Sequence, residues 1–166
     1  MKRTILFRPE RCLMCLSCEL ACQMQALGID DPRSLARGED QPRRISLTLV
    51  EGTPRVALCR HCLQPPCAEA CISGSICRDE ETSAVRHRPE TCVGCGTCQL
   101  VCPFNAITRN DREERMAKCN LCPDEETPPC VRACGSGALT LGRSDQGEAV
   151  RKRRYAEELR GGINHG

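Results

Sequence analysis

Cysteines are the residues of this chain best suited to chemistry, and 16 of the 17 fall into four groups of four. Every group begins with Cys-x2-Cys and ends with Cys-x3-Cys, and only the middle gap varies, at two, four, two and seven residues. A pattern that recurs four times is an internal repeat and indicates repeated sites of one kind. Groups one to four are, in order, Cys12, Cys15, Cys18 and Cys22; Cys59, Cys62, Cys67 and Cys71; Cys92, Cys95, Cys98 and Cys102; and Cys119, Cys122, Cys130 and Cys134.

In groups one and three the first three cysteines have the spacing Cys-x2-Cys-x2-Cys. One tight loop of this kind can place three thiolates at three corners of an iron–sulfur cube, with backbone N–H groups directed at the sulfurs. The fourth cysteine lies on the following helix and points to a neighbouring cube, as in two-cluster ferredoxins. The stretch Cys92–Pro103 has that ferredoxin pattern in full. The sequence therefore predicts four 4Fe–4S clusters, one for every four cysteines.

Zinc is the alternative metal, because four Cys-x2-Cys elements could each start a site of four thiolates. Zinc sites, however, usually pair two widely separated Cys-x2-Cys elements and do not need a third cysteine two residues later. We therefore favour iron–sulfur clusters over a zinc-bound structural or interaction module. A disulfide scaffold is disfavoured further, because the cysteine count of 17 is odd and no secretory signal precedes the first group.

Large apolar side chains are too scarce to fill an ordinary interior. The hydrophobic fraction of 40% includes the cysteines, and the 166 residues contain no Trp, one Tyr and two Phe. Cofactors bonded to cysteine would replace the missing core, and folding would then depend on their insertion. So few aromatic residues offer no stacking surface for nucleic acid, and the net charge of +2 indicates no particular partner.

Motifs for substrate or nucleotide binding are missing from the sequence. No Gly-x-Gly-x-x-Gly follows a strand and no P-loop is found, so we expect a non-catalytic chain whose chemistry comes from its partners. Residues Met1–Arg8 are too few and too polar for a signal core, and no apolar run approaches about 18 residues. The expectation is a protein with no membrane span, in a cytoplasm that keeps thiols reduced.

Short strands and helices between the cysteine groups predict an α+β fold. Glu51-Gly52 is typical of a hairpin turn, and helices are predicted at Cys18–Leu27 and Thr97–Cys102. Residues 28–43 indicate a surface loop, and residues 146–160 a charged helix. The predicted strands are Arg3–Phe7, Ile45–Val50, Arg55–Leu58, Ala84–His87, Ala106–Thr108 and Ala138–Leu141.

The cysteine groups also predict a division into two modules. Groups two and three, separated by the 20 residues Ile72–Thr91, form a bacterial two-cluster ferredoxin module over residues 57–110. Groups one and four then pair by elimination in an outer module, residues 1–56 plus 111–145, into which the inner module is inserted. Residues 146–166 form a charged tail. The competing arrangement pairs group one with group two and group three with group four.

Crossed ligation within the nested arrangement predicts four ligand sets, in which the last cysteine of one group serves the partner group. Set one is Cys12, Cys15, Cys18 and Cys134; set two is Cys119, Cys122, Cys130 and Cys22; set three is Cys59, Cys62, Cys67 and Cys102; set four is Cys92, Cys95, Cys98 and Cys71.

Three further features lie outside these sets. Cys77 belongs to no group, and we interpret it as a small buried apolar residue and not as a ligand. His61, between Cys59 and Cys62, is expected to hydrogen-bond near a cluster without ligating it. The basic run Arg151–Arg154 is interpreted first as a solvated helical face and second as a contact for an acidic partner.

With these motifs the chain resembles a known family over about residues 3–142. Arg11–Cys22, Lys118–Cys122 and Pro129–Cys134 are similar to stretches of the four-cluster ferredoxin-like subunits that accompany CO dehydrogenase. Related subunits accompany formate dehydrogenase, hydrogenase and molybdopterin or tungstopterin oxidoreductases. The resemblance also implies the nested pairing, although proline follows the last cysteine only in group three.

The resemblance implies an electron-transfer subunit within a hetero-oligomer. We expect it to relay single electrons from CO dehydrogenase to a pyridine-nucleotide oxidoreductase or a hydrogenase. The alternative is the same role beside a formate dehydrogenase, a hydrogenase or an aldehyde-oxidising tungsten enzyme. A zinc-binding structural module is the remote alternative.

Overall fold

The computed structural model describes residues 3–35, 43–111 and 113–143. The regular structure of these residues consists of eight strands and four helices, and every one of them except the first helix has six residues or fewer. The strands are β1 (Arg3–Phe7), β2 (Ile45–Val50), β3 (Thr53–Leu58), β4 (Ile76–Arg78), β5 (Val85–His87), β6 (Ile107–Asn110), β7 (Arg115–Lys118) and β8 (Leu139–Arg143). The helices are α1 (Ser17–Leu27), α2 (Pro66–Glu69), α3 (Thr97–Leu100) and α4 (Pro129–Arg132).

Within the described residues, the strands form four separate antiparallel pairs. Three of them, β2–β3, β4–β5 and β6–β7, join consecutive strands, whereas β1 pairs with β8 and places Ile5 opposite Leu141. At the tip of β2–β3, Glu51 (φ 49°) and Gly52 (φ 75°) both adopt the left-handed conformation that a tight two-residue hairpin turn requires. Two-stranded sheets are marginal by themselves, so these pairs depend on the interior against which they pack.

Each helix carries the third cysteine of its group, and all four of these side chains are buried. Helices α2 and α4 start with Pro66 and Pro129, whose fixed φ suits a first helical turn. Helices α1 and α3 instead follow residues in the left-handed conformation, Leu16 and Gly96. The cysteines concerned are Cys18, Cys67, Cys98 and Cys130.

The buried apolar residues described form two cores, and cysteine is prominent in both. The first core combines residues from both ends of the chain, such as Ile5 and Leu139, with Ile45 and Leu58. Its buried cysteines are Cys18, Cys119 and Cys130. The second core combines Cys67 and Cys98 with Ile76, Val85, Ile107 and Met116. Thiols therefore occupy positions that leucine or phenylalanine would fill in an ordinary domain.

Most predicted elements are confirmed, and two strands begin and end at the predicted residues. Strands β1 and β2, the turn between β2 and β3 and helix α1 lie where the sequence indicated, with small differences at the ends. The strands β4 and β7 were not predicted. The loop predicted at residues 28–43 contains a 3-10 turn, Pro32–Ser34, and residues 36–42 lie outside the described part. The predicted helix at 146–160 and the run Arg151–Arg154 also lie outside the described residues.

Candidate metal centres

A repeated turn leads into groups one and three. The sequence Arg-Pro-Glu precedes each group and forms a 3-10 turn, Pro9–Arg11 in one case and Pro89–Thr91 in the other. The N–H of Cys12 donates to the Pro9 carbonyl at 3.0 Å, and the N–H of Cys92 donates to the Pro89 carbonyl at 3.1 Å. The shared flanking sequence therefore fixes the backbone direction at the first cysteine of both groups.

Each Cys-x2-Cys loop contains at least one residue in the left-handed conformation. Alternation between right- and left-handed residues turns successive N–H groups toward one side and creates a concavity for an anion. The sulfurs of an iron–sulfur cluster are anionic and accept such hydrogen bonds. The residues concerned are Met14 and Leu16 in group one, His61 in group two, Gly94 and Gly96 in group three, and Leu121 and Cys122 in group four.

Cys22, from group one, lies among the thiols of group four. Burial raises its pKa far above the ordinary value, and the charges of Cys119, Cys130 and Cys122 raise it further. Arg44 opposes this effect. Four thiols that disfavour one another's ionisation are stabilised as thiolates when a cationic metal centre neutralises them. These are the four cysteines of set two.

Group one meets group four at a second point, where Cys18 lies near Cys134. The pKa of Cys18 is raised to about 11 by burial and by Glu19, with a smaller contribution from Cys134. Cys12 and Cys134 both pack against the first core. Cys15, at the middle of the loop, is exposed.

Groups two and three meet in the same crossed manner. Burial raises the pKa of Cys67, and the charges of Cys59, Cys102 and Cys62 raise it further, while Lys118 lowers it. The pKa of Cys98 rises to about 11 through burial and the charges of four other cysteines, which are, from the strongest to the weakest, Cys71, Cys67, Cys92 and Cys95. A small apolar pocket beside α2 is lined by all four cysteines of set three.

Hydroxyl and backbone groups surround the last cysteine of groups two and four. Burial raises the pKa of Cys71, but Ser75, the Ile76 N–H and Ser73 outweigh it and lower the value to about 7. The Ser75 hydroxyl lies 3.2 Å from the Cys71 sulfur. At Cys134 the Leu139 N–H donates to the sulfur at 3.2 Å. These donors favour thiolates, which is the form that binds iron.

The serines near these sulfurs were missed by sequence reasoning, although the sequence carries a signal for them. The motif Cys-x-Ser-Gly occurs at Cys71–Gly74 and again at Cys134–Gly137. In both copies the serine hydroxyl lies 3.7 Å from the cysteine sulfur. The repeat therefore places a polar neighbour beside the cysteine that crosses to the partner group.

The two residues outside the sets occupy different environments. Cys77 lies in β4 opposite Arg86 of β5 and is half-buried, so the expectation of a buried residue is wrong. His61 is 1% exposed, and its Nδ1 accepts the Val85 N–H at 3.0 Å. Between residues 3 and 143, outside the undescribed gaps, no group of three or more His, Cys, Asp or Glu side chains is arranged to hold a metal ion. A 4Fe–4S cube is larger than one ion, so its ligands stand further apart than those around zinc.

Four cysteine groups in tight loops and short helices, each with at least one buried cysteine, define an iron–sulfur protein of the α+β class, and the residues present fit 4Fe–4S clusters. The family described as "4Fe-4S dicluster domain" matches residues 50–144, and the chain belongs to that family. The predicted cofactors, 4Fe–4S clusters, are thereby confirmed. In the described part of the chain, no helix combines the length and apolar character needed to cross a membrane.

Three curated relatives illustrate the family. The chain is 32% identical over 155 residues to the thiosulfate reductase electron transfer subunit PhsB of Salmonella typhi, covering 89% of this chain and 79% of that one. It is 31% identical to the electron transport protein HydN of Escherichia coli, covering 94% and 98%. It is 29% identical to the iron-sulfur subunit of the nitrate-inducible formate dehydrogenase of Escherichia coli, covering 93% of this chain but 58% of that subunit.

Proposed function

We propose that the chain holds four 4Fe–4S clusters in the four crossed sets and conducts electrons through them in the order one, two, three, four. The observation that carries the proposal is the position of Cys22 among Cys119, Cys122 and Cys130, which joins the first group to the last. The family membership and the relatives support the general role, which is that of a non-catalytic electron-transfer iron–sulfur subunit of an oxidoreductase complex.

The proposed order of the sets is supported by the pKa values, because the charge of a thiol in one set raises the pKa of a thiol in the next. Cys18 of set one acts on Cys130 of set two, and Cys59 of set three acts on Cys119 of set two. Cys67 of set three acts on Cys98 of set four. These three influences support an arrangement of the sets in a line, with set one and set four at the ends.

The bound clusters supply reversible one-electron oxidation and reduction. The cysteine thiolates would hold the clusters, and N–H and hydroxyl groups are directed at the sulfurs of Cys71 and Cys134. Two small cores would shield part of each site from water. Hydrogen bonds and solvent exclusion of this kind set the reduction potential of each site.

The two cores support the nested modules. Pairing of β1 with β8 and of Cys22 with group four belongs to the outer module, residues 1–56 plus 111–145. The inner module, residues 57–110, contains most of the second core. The boundaries are not sharp, since Leu58 packs in the first core and Met116 in the second. Strands β3 and β7 therefore connect the two modules.

Partner surfaces are proposed at the two ends of the line. Cys15 of set one and Cys95 of set four are exposed ligands. Leu13 (76% exposed) lies beside the first, and Val93 (64% exposed) lies beside the second. Electron transfer requires close approach of the partners, and exposed apolar side chains around a ligand loop suit a covered interface.

For the catalytic partner we favour a formate dehydrogenase or a thiosulfate reductase, because curated relatives carry these names. The CO dehydrogenase partner expected from the motifs becomes the second candidate, with a pyridine-nucleotide oxidoreductase or a hydrogenase as electron acceptor. Anaerobic co-purification from the native host separates the two. A molybdenum or tungsten enzyme in the complex supports the first candidate, and a nickel enzyme that oxidises CO supports the second.

The cluster assignment is tested by iron and sulfide analysis of the anaerobically purified chain. We expect about 16 iron atoms per chain, four for each cube. The variants Cys22→Ser and Cys119→Ser should each lose about four iron atoms, and the double variant should lose no more than either, because both ligate one cube. Additive loss would support the pairing of group one with group two. A colourless protein with about four zinc ions would contradict the whole proposal.

A further inference from the structure

Lys118 is a buried cation directly before the first ligand of set two. It is 3% exposed at the end of β7. Its Nζ donates to the carbonyl oxygens of Val85 and of Cys119, the latter at 2.8 Å. Among the described residues, no carboxylate forms an ion pair with Lys118. Since a buried ammonium is costly without a compensating negative charge, an anion must come from elsewhere.

The Lys118 contacts bridge set two and set three. Val85 is 1% exposed, and while its carbonyl accepts from Lys118, its N–H donates to Nδ1 of His61. His61 lies inside the ligand loop of set three, between Cys59 and Cys62. One peptide strand thus connects the two ligand loops through two polar side chains. We call Lys118, Val85 and His61 the junction.

The positive charge of Lys118 acts on a ligand of each set. Burial raises the pKa of Cys67 in set three, and Lys118 is the largest opposing influence. Burial and the charge of Cys59 raise the pKa of Cys119 in set two, and Lys118 again opposes them. Cys119 is buried in the first core, and Cys59 packs against the same core.

We propose that the charge of Lys118 offsets the negative charge of the two middle clusters, those of sets two and three, and raises the reduction potential of both. The inference rests on the proposed ligand sets. Each reduction adds one negative charge to a site, and a nearby buried cation favours that step. Because one ammonium acts on both sites, its charge raises the two potentials together and leaves the difference between them little changed.

The test is an EPR-monitored redox titration of the anaerobic holoprotein carrying Lys118→Gln, Lys118→Met or Lys118→Arg. Gln removes the charge but keeps a hydrogen-bond donor, Met removes both, and Arg keeps the charge. With Gln and Met we expect two of the four clusters to need a more negative potential for reduction. At fixed potential their reduced-to-oxidised ratio should fall roughly tenfold, the order expected for a unit charge inside a protein. Arg should leave all four midpoints near the parent values.

Each outcome decides the proposal. If the midpoint potentials shift in the Met variant but not in the Gln variant, the hydrogen bonds matter and the role of charge is overturned. Four unchanged midpoint potentials in a Gln variant with full iron content would overturn it as well. If Gln and Met lose iron while Arg retains it, the charge is needed to hold the clusters, which supports the compensation of cluster charge by Lys118. If all three variants lose iron, Lys118 acts through packing and the proposal fails. An iron-free parent chain would instead refute the proposed function itself.

Discussion

The Gly94→Ala substitution isolates a single backbone contact in the ligand loop of group three. Gly94 has a φ of +68°, and a Cβ built there would lie 2.0 Å from the carbonyl oxygen of Glu114, in the turn between β6 and β7. Gly96, two residues later, has a φ of +78°, and its Cβ would meet nothing within 4 Å. The two glycines share the left-handed strain, so Gly96→Ala is the matched control for the collision.

The expected magnitudes follow from these two terms. Left-handed strain costs an alanine about 1–2 kcal/mol at either position. At Gly94 the backbone of the turn must also withdraw by roughly 1 Å, and relieving such an overlap adds about 1–3 kcal/mol. The withdrawal would strain the hydrogen bond from Arg109 Nη1 to the Gly94 carbonyl, now 3.0 Å long. Gly94→Ala should therefore be the more destabilising variant by about 1–3 kcal/mol.

The assay is thermal unfolding of the anaerobic holoprotein, followed by circular dichroism, with iron analysis of the same samples. The additional destabilisation should lower the midpoint of Gly94→Ala by roughly 3–10 °C beyond that of Gly96→Ala. Iron loss, where it occurs, should be confined to the cluster of set four. Equal midpoints and equal iron contents for the two variants would refute the contact between the loop and the turn.

Two other predictions concern residues outside the ligand sets. Cys77→Ala should keep about 16 iron atoms per chain, whereas Cys71→Ala should lose about four, as iron analysis would show; loss of iron with Cys77→Ala would make it a ligand. Burial lowers the pKa of His87, and the charges of Lys118 and Arg44 lower it further. The unfolded chain then binds the proton more readily, so stability should fall as the pH drops below the ordinary histidine value of about 6.5. Between about pH 7 and about pH 5, the unfolding midpoint of His87→Gln should decline less steeply than that of the parent. Equal slopes would contradict the predicted role of His87 in the pH dependence.

Local spacing explains why much of the fold could be read from the sequence. The cysteines dictate tight loops followed by helices, and the short apolar run that ends at Phe7 gives a strand, Arg3–Phe7, with the predicted bounds. The strands β4 and β7 have no such signal. β4 has three residues, including Cys77 and Arg78, and β7 begins and ends with a charged residue. Their partner strands, and not their own propensities, decide their conformation.

The polar part of the site could be predicted less well than the ligands. A lysine beside a cysteine motif is expected to be solvated. Lys118 is instead buried, because its Nζ donates to the carbonyl of Val85, which is distant in the sequence. His61 was expected to hydrogen-bond near a cluster, but its partner, Val85, is 24 residues away and was not foreseeable. The serines at Cys71 and Cys134 could have been found, because the Cys-x-Ser-Gly repeat is visible in the sequence.

The pairing of the first strand with the last described strand has a consequence for biosynthesis. Until the ribosome has produced β8, β1 has no partner, and until it has produced Cys134, the two proposed outer sets together lack at least one ligand from group four. The inner segment has all eight of its proposed ligand thiols by Cys102. Assembly machinery could therefore load the inner sites on a nascent chain, whereas the outer sites must wait for nearly complete translation.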